Sequence, residues 1–268
     1  MYYNDIADIH YEDVLHNLLI NNIPRLKEKK VGVLLSGGLD SSIILSIVRE
    51  HYDVIAYTVG VEGSRDLNNA RDVARRLDVE HQPILLSREM VLNAIWRLIN
   101  KYRDLSVVEL SFEIPFYIGV SRARERNIFT GQGADELFGG YSKYLKNPSL
   151  MERDIILLIG RTIPREMEIT RSFNKVLHTP FISPGILKFA MEIPMDEKIG
   201  AERKIILRKL ASRLGLPEDI MAREKIAMQY GTGVMKILRR IAKNNNLSLR
   251  ELTDREKIKK VLYDEAII

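Results

Sequence analysis

Cysteine is absent from this chain of 268 residues, and its absence excludes several kinds of chemistry. Without a thiol the chain forms no disulfide, no cysteine-ligated zinc or iron–sulfur centre, and no cysteine nucleophile. Long apolar runs are also missing, since no stretch approaches the roughly 20 apolar residues that cross a bilayer. The first residues, Met1 to Asp5, have neither a basic start nor an apolar core, so no signal peptide is expected. We therefore expect a cytoplasmic protein with no membrane partner.

A large charge of one sign is lacking as well. The chain has 41 Lys and Arg against 36 Asp and Glu, which gives a formal net charge of +5. The basic residues are spread over several predicted helices, and we interpret them mainly as solvent-facing positions, so nucleic acid is not an expected partner. A hydrophobic fraction of 46% with 29% charged residues is ordinary for a globular protein, and the length allows one large domain or two small ones.

The most informative stretch is a turn rich in glycine and serine. An apolar run, Val31 to Leu35, leads into Ser36-Gly37-Gly38-Leu39-Asp40-Ser41-Ser42, and apolar residues then continue to Val48. This pattern predicts a buried parallel strand, a tight turn and a helix. Glycines allow close approach of the backbone, and the first N–H groups of the helix are ready to bind an anion. The turn lacks the lysine of a Walker loop and the dinucleotide fingerprint, so it predicts another kind of phosphate site.

Strand and helix patterns alternate through the first half of the chain. Further strands are predicted over 54–59, 81–85 and 127–130, with helices over 10–29, 39–51 and 66–77, a helix capped by Ser87, and one beyond Pro115. This alternation predicts an α/β fold, a doubly wound parallel sheet with helices on both faces. Ligands of such sheets bind where the strands end and the winding reverses. The ends at Leu35, Val59 and Thr130 should therefore open onto one edge.

The second half has a different character. After Tyr141 no strand pattern is visible, and helices are predicted over 151–171, 184–191, 201–214 and 234–242. Ser248 with Glu251 three residues later predicts a capping box for a last helix. The expected organisation is an α/β nucleotide-binding region over residues 1–147 and a helical C-terminal lobe over residues 148–268, packed as part of the same domain.

A second glycine-rich stretch follows the strand predicted at 127–130. It reads Thr130-Gly131-Gln132-Gly133-Ala134-Asp135-Glu136-Leu137-Phe138-Gly139-Gly140-Tyr141. Such a loop can bring a carboxylate against a metal held by phosphates, and Mg2+ prefers one or two protein carboxylates together with phosphate oxygens and water. Asp40 and Asp135 are the predicted metal ligands.

These two stretches, in this order, resemble the synthetase domain of the glutamine-dependent asparagine synthetases, in the ATP pyrophosphatase (PP-loop) superfamily. The likeness covers most of the chain from about residue 12 to residue 240. It implies a ligase that uses ATP and Mg2+ to adenylate a carboxylate, releases pyrophosphate and AMP, and forms an amide. On this analogy aspartate is the expected carboxylate, with ammonia as the default amine.

The resemblance also implies a set of site residues. ATP is expected to contact Leu34, Leu35, Ser36, Gly37, Gly38, Leu39, Asp40, Ser41, Ser42, Val59, Thr130 and Gly131. Lys225, within Arg223-Glu224-Lys225, is similar to the family lysine that stabilises charge on the pyrophosphate and the transition state. With Asp40 and Asp135 it forms the expected catalytic set; an ordinary surface lysine is the alternative for Lys225.

The chain departs from the family pattern on the side of the acceptor. Gln132 stands where the family has a glutamate, and a glutamine has no carboxylate to act as a general base. Val176 and His178 stand where the family has an acidic residue and an arginine, and His178 is either a substrate contact or a buried structural histidine. No counterpart of the family's glutaminase domain is seen, so the nitrogen is expected from solution or from a separate glutaminase subunit, and homo-oligomers remain possible.

Two other functions stay open on the sequence alone. One is an RNA-modifying ATP pyrophosphatase that adenylates a base. The other is a non-catalytic nucleotide-binding subunit, which the exchanges at Gln132 and Val176 suggest.

Overall fold

A computed structural model describes residues 10–223, 227–265 and 267, and a parallel sheet lies at its centre. Five strands are present in this part of the chain: β1 (Lys30–Leu34), β2 (Asp53–Gly60), β3 (Glu80–Leu85), β4 (Asn127–Phe129) and β5 (Val176–His178). Their order is β3-β2-β1-β4-β5, and every neighbouring pair is parallel. The chain winds outward from β1 to β3 and then returns to the other side of β1. The predicted doubly wound α/β fold is thus confirmed, with the winding reversed between β1 and β4.

Helices occupy most of the remaining described chain. The α-helices of the first half are α1 (Tyr11–Asn21), α2 (Leu39–Val48), α3 (Arg65–Arg76), α4 (Arg88–Lys101), α5 (Val107–Arg122) and α6 (Ala134–Leu137). Those of the second half are α7 (Lys143–Lys146), α8 (Leu150–Leu157), α9 (Ile163–Arg171), α10 (Pro184–Glu192), α11 (Ile205–Arg213), α12 (Glu218–Met221), α13 (Met228–Gly231), α14 (Val234–Asn244) and α15 (Arg255–Asp264). A π-helical turn (Leu158–Thr162) joins α8 to α9, and short 3-10 helices lie at Met195–Glu197 and Leu249–Thr253.

Successive residues of the central strands point into different cores. Val54 and Ala56 of β2 belong to a cluster with α2, α3 and α11, whereas Ile55 and Tyr57 pack with Ile128 in a separate cluster. A further large cluster joins α4 and α5 to α14 and α15. Side chains alternate between the faces of a strand, so a sheet covered on both faces has apolar residues at consecutive positions. The continuous apolar runs of the sequence follow from this arrangement.

Helix α5 begins well before the point predicted from its proline. It starts at Val107, because Ser106 and Glu109 form a capping box in which each side chain accepts from the other residue's backbone N–H. Pro115 lies inside the helix. The expectation that the helix exists only beyond Pro115 was wrong, since a strong cap offsets the loss of one backbone hydrogen bond.

Strand β5 corrects the expectation that no strand follows Tyr141. It has three residues and pairs only with β4, with Asn127 opposite Val176 and Phe129 opposite His178. Three residues are too few to show an alternating pattern, and an edge strand is defined by its neighbour in the sheet. The residues after Tyr141 therefore contribute to the sheet as well as to the helices.

The end of the chain also differs in detail from the prediction. The backbone N–H of Ser248 donates to the carboxylate of Glu251 at 2.6 Å, so the predicted capping box is present. It begins the 3-10 helix Leu249–Thr253, whereas Asp254 caps the last helix by accepting from the N–H of Lys257 at 3.1 Å. Across the described ranges, no helix is both long and apolar enough to cross a membrane.

Candidate nucleotide and metal site

The turn between β1 and α2 is ordered by its own serines. The N–H of Ser36 donates to Oγ of Ser41 at 3.2 Å, and the hydroxyl of Ser42 donates to the carbonyl of Gly38 at 2.8 Å. Gly38 is the residue that precedes α2, with an extended backbone at φ −82° and ψ 170°. The N–H groups at the start of α2 thus point towards the edge of the sheet where the strands end, which is the arrangement that binds phosphates.

A neighbouring helix holds this turn from behind. Gly37 has φ +71°, and a Cβ at this position would lie 2.3 Å from backbone atoms of Asn69 and Ala70 in α3. Only glycine satisfies both the left-handed conformation and the close approach. Arg223 donates to the carbonyl of Gly37 at 2.9 Å and to the carboxylate of Asp72 at 2.7 Å. The turn is therefore fixed by contacts from α3 and from the segment after α12.

The two predicted motifs meet where the winding of the sheet reverses. Gly131, just after β4, lies so close to the start of α2 that a Cβ there would be 2.8 Å from the nitrogen of Ser41 and 2.9 Å from the carbonyl carbon of Asp40. No side chain fits between the two loops. The end of β4 and the turn after β1 form a single surface.

Asp40 and Asp135 converge from these two loops on one cation of the protein. The Nζ of Lys204 lies 2.6 Å from both carboxylate oxygens of Asp40 and 2.6 Å from Oδ1 of Asp135. All three residues are buried. Two carboxylates that share one ammonium group are close enough to share one metal ion.

A cavity of about 780 Å3 opens at this point. Of the residues predicted to contact ATP or metal, its lining includes Leu34, Leu35, Ser36, Asp40, Ser41, Val59, Thr130, Gly131 and Asp135. A recess of about 90 Å3 adjoins it and is lined by Ser36, Gly38, Leu39 and Asp40. Gly37 and Ser42 line neither space, and their contacts described above are with the protein itself. Lys225 lies outside the described residues.

Sequence reasoning missed most of the cations around the recess. Its walls contain Arg65, Arg203, Lys204, Arg208 and Arg223. These residues come from the start of α3, the segment before α11, α11 itself and the segment after α12. Each resembles the many solvent-facing basic residues of the chain, so no local signal distinguishes it. Only the fold brings them to the turn between β1 and α2.

Gln132 lines the cavity and is held by a buried carboxyl group. Its Nε2 donates to Oε1 of Glu166, which lies on α9 and is 1% exposed. Burial raises the pKa of Glu166 well above its ordinary value, and the nearby Glu113 adds to this effect. The amide of Gln132 is thereby oriented with its nitrogen towards α9.

An ion-pair cluster lies behind Glu166. Arg165 donates to Glu109 at 2.8 Å and to Glu113 at 3.1 Å, so two carboxylates share one guanidinium group. Burial raises the pKa of Glu113 to about 7, because one shared cation does not offset its complete removal from water. Burial acts on Glu109 in the same direction, but hydrogen bonds from Arg165 and Ser106 outweigh it and lower the pKa of Glu109 to about 2.

Two of the departures from the family pattern lie on β5. His178 stacks on Phe129 with ring centroids 4.6 Å apart, and its Nε2 is 2.9 Å from Oδ1 of Asn127. Burial lowers the pKa of His178, which favours the neutral ring. Val176 begins the strand and is 40% exposed. Neither residue lines the cavity, so the structure favours the interpretation of His178 as a structural histidine.

The donor set at Asp40 and Asp135 fits Mg2+. The two carboxylates already hold one cation, and Mg2+ in phosphate sites takes one or two protein carboxylates together with phosphate oxygens and water. Within residues 10–223, 227–265 and 267, no group of three or more His, Asp or Glu side chains could hold a metal ion.

Fold and cavity define the class of protein: an α/β domain with a parallel sheet and a cavity at the point where the winding of the sheet reverses, which is where such folds bind their ligands. The family model described as asparagine synthase matches residues 25–177 and 165–266. The chain belongs to the asparagine synthase family.

Curated relatives are 28% identical to this chain over the residues that align. A putative asparagine synthetase [glutamine-hydrolyzing] 1 of Methanocaldococcus jannaschii is 28% identical and aligns with 84% of this chain and 50% of its own length. Asparagine synthetase B [glutamine-hydrolyzing] of Escherichia coli is also 28% identical, over 83% of this chain and 44% of its own. The chain thus spans half or less of the length of these relatives.

Similarity to solved structures is more distant. NMN synthetase from Francisella tularensis has a TM-score of 0.46 and 14% identity, covering 95% of this chain and 92% of its own. An NH3-dependent NAD synthetase from Campylobacter jejuni has a TM-score of 0.41 and 14% identity, covering 96% of this chain and 93% of its own. At these values the likeness carries no argument about function.

Proposed function

We propose that the chain is an ATP-dependent synthetase that adenylates a carboxylate substrate and then forms an amide. The carboxylate attacks the α-phosphate of ATP, which gives an acyl-adenylate and pyrophosphate. An amine attacks the acyl carbon and AMP leaves. Aspartate and ammonia, giving asparagine, are the first substrates to test because the curated relatives are named asparagine synthetases. The observation that carries the proposal is the convergence of the serine-glycine turn, Asp40 and Asp135 on one cavity.

The shape of the site supports binding of different parts of ATP in the cavity and in the adjoining recess. The larger cavity reaches Leu34 and Val59 at the ends of β1 and β2 and can take the adenosine, while the cationic recess beside Ser36 and Gly38 can take the β and γ phosphates. Preorganised donors and cations stabilise charge as it develops on a leaving pyrophosphate. The α-phosphate would then lie between the two spaces, where a carboxylate can reach it.

Asp40 and Asp135 are the residues that would hold Mg2+. The ion supplies charge neutralisation and orientation for the phosphates when it is bound. Lys225 is proposed from the family resemblance to stabilise the same charge.

The amine would approach from the side of Gln132. Its amide lines the cavity and is oriented by Glu166, so the acceptor side of the site presents a neutral polar group. The nitrogen is proposed to come from free ammonia or from a separate glutaminase subunit. Because the amide of Gln132 is not a base, solvent, the adenylate or a neighbouring group would accept the proton from the attacking amine.

Pyrophosphate exchange into ATP tests the first half-reaction. Labelled pyrophosphate is supplied with Mg2+ and a panel of carboxylates, with aspartate first. Exchange should depend on the matching carboxylate, and Asp40→Asn should reduce it by roughly a hundredfold or more, as expected when a metal-binding carboxylate is lost. Asp53→Asn is the matched control, because Asp53 is exposed at the opposite, amino end of β2 and should leave exchange unchanged.

The outcomes separate the candidate functions. Exchange with a carboxylate, followed by AMP and amide on addition of ammonia, supports the synthetase. ATP binding without exchange for any carboxylate refutes it in favour of a non-catalytic subunit. Full exchange in Asp40→Asn would show that the site has been assigned to the wrong residues.

A further inference from the structure

Lys204 lies in the place where a divalent cation would bind both carboxylates. Its Nζ is 2.6 Å from each oxygen of Asp40 and from Oδ1 of Asp135. The three residues are only 5%, 8% and 6% exposed, so water does little to weaken this contact. An ammonium group at these distances uses carboxylate oxygens that a metal ion needs. The two cations therefore compete for one position.

The backbone around Lys204 is arranged to put the ammonium group there. Lys204 has φ 60° and ψ 40°, a left-handed conformation that is unfavourable for a residue with a Cβ. A Cβ on Gly140 would lie 1.9 Å from Oδ1 of Asp135 and 2.4 Å from Cε of Lys204, so only glycine lets the two side chains meet. Arg203 donates to the carbonyl of Gly140 at 2.6 Å and ties the two segments together.

A recess beside the two carboxylates is also open to Lys204. Lys204 also lines the recess of about 90 Å3 next to Ser36 and Gly38, the space assigned above to the β and γ phosphates. Phosphates bound there would offer the lysine a new anionic partner within reach of its side chain. We propose that Lys204 is a resident cation that pairs Asp40 with Asp135 before the nucleotide binds, and that it turns to the phosphates when the divalent metal enters with the nucleotide.

This arrangement makes metal binding depend on the nucleotide. A free metal ion must displace a buried ammonium group from both carboxylates, which costs free energy. A metal ion that arrives with ATP brings phosphate oxygens both for itself and for Lys204. The inference rests on the proposed assignment of Asp40 and Asp135 to the metal and on no particular substrate.

Binding of Mn2+, measured by electron paramagnetic resonance without nucleotide, tests the proposal. The wild-type protein should bind Mn2+ weakly, and Lys204→Met should bind it roughly tenfold more tightly or better, because two close buried carboxylates then lack the bridging cation. In the wild type, a non-hydrolysable α,β-methylene analogue of ATP should tighten Mn2+ binding by a similar factor. No carboxylate substrate and no amine are added, so the outcome does not depend on which reaction the protein catalyses.

Two control variants locate the effect. Lys209→Met removes a lysine from the exposed side of α11, where it pairs with Glu197 at 2.8 Å, and should leave Mn2+ binding unchanged. Adding Asp135→Asn to Lys204→Met should abolish the gain, because one of the two carboxylates is then lost. Lys204→Gln, which keeps a hydrogen-bond donor, replaces the methionine variant if that protein does not fold.

Three results would overturn the proposal. One is equally tight Mn2+ binding by the wild-type protein with and without the ATP analogue. Another is a gain in Lys204→Met that survives Asp135→Asn. The third is Mn2+ binding by Lys204→Met and Lys204→Gln that equals the wild type.

Discussion

Replacing Glu113 by glutamine should stabilise the protein at alkaline pH. Glu113 is fully buried on α5, and burial raises the pKa of its carboxyl group from 4.5 to about 7 despite the contact with Arg165. Between pH 4.5 and about 7, the carboxyl group of Glu113 is therefore protonated in the folded protein but ionised in the unfolded chain. Because the folded state binds more protons over this range, the free energy of unfolding falls as pH rises from 4.5 to 7.

The size of this effect follows from the two pKa values. A shift from 4.5 to about 7 corresponds to about 3 kcal/mol lost by the wild type above pH 7. Glu113→Gln stays neutral and avoids this loss. Its free energy of unfolding should lie within about 1 kcal/mol of the wild type near pH 5 and exceed it by up to about 3 kcal/mol at pH 8.

Urea unfolding at pH 5, 6, 7 and 8, followed by the fluorescence of the single tryptophan, Trp96, measures the difference. Glu265→Gln is the control, because hydrogen bonds from Arg88 lower the pKa of Glu265 and Glu265 does not contact Arg165 or Glu113. The contribution of Glu265 to stability is present above the unfolded value of 4.5 and is lost as pH falls through its folded pKa, so its effect should be constant from pH 5 to 8. A difference for Glu113→Gln that does not change between pH 5 and 8 would refute the reasoning.

Two further predictions concern the loops of the site. Gly131→Ala should weaken ATP binding by roughly tenfold or more, because a Cβ would press against the backbone at Ser41. Isothermal titration calorimetry measures the affinity, and an unchanged value would show that this contact does not shape the site. Arg223→Met should lower the free energy of unfolding by about 1–3 kcal/mol and weaken ATP binding, because the carbonyl of Gly37 and the carboxylate of Asp72 lose a partly buried donor. Urea unfolding checks the stability effect, and loss of stability without loss of affinity would mean that the turn keeps its shape without Arg223.

The order of strands and helices up to β4 was largely determined by local sequence. Strands covered on both faces read as continuous apolar runs, and the helices between them have apolar residues at helical spacing. Caps such as Ser87, which accepts from the N–H of Met90 at 3.1 Å, mark where helices begin. Because parallel strands place their carboxyl ends at one edge, the approach of Asp40 to Asp135 could also be expected from sequence.

The tertiary structure alone decided which cations complete this site. Lys204 follows the turn after α10 by several residues and is separated from Asp40 by 164 positions, yet their charged groups are 2.6 Å apart. The link between Gln132 and Glu166, 34 positions apart, depends on how α9 packs against the loop after β4. Strand β5 exists because β4 offers it an edge to pair with. The sequence by itself determined the two glycine-rich loops with Asp40 and Asp135, since the residues of each loop are neighbours in the chain. The partners of these carboxylates come from distant segments, and only packing brings such segments together.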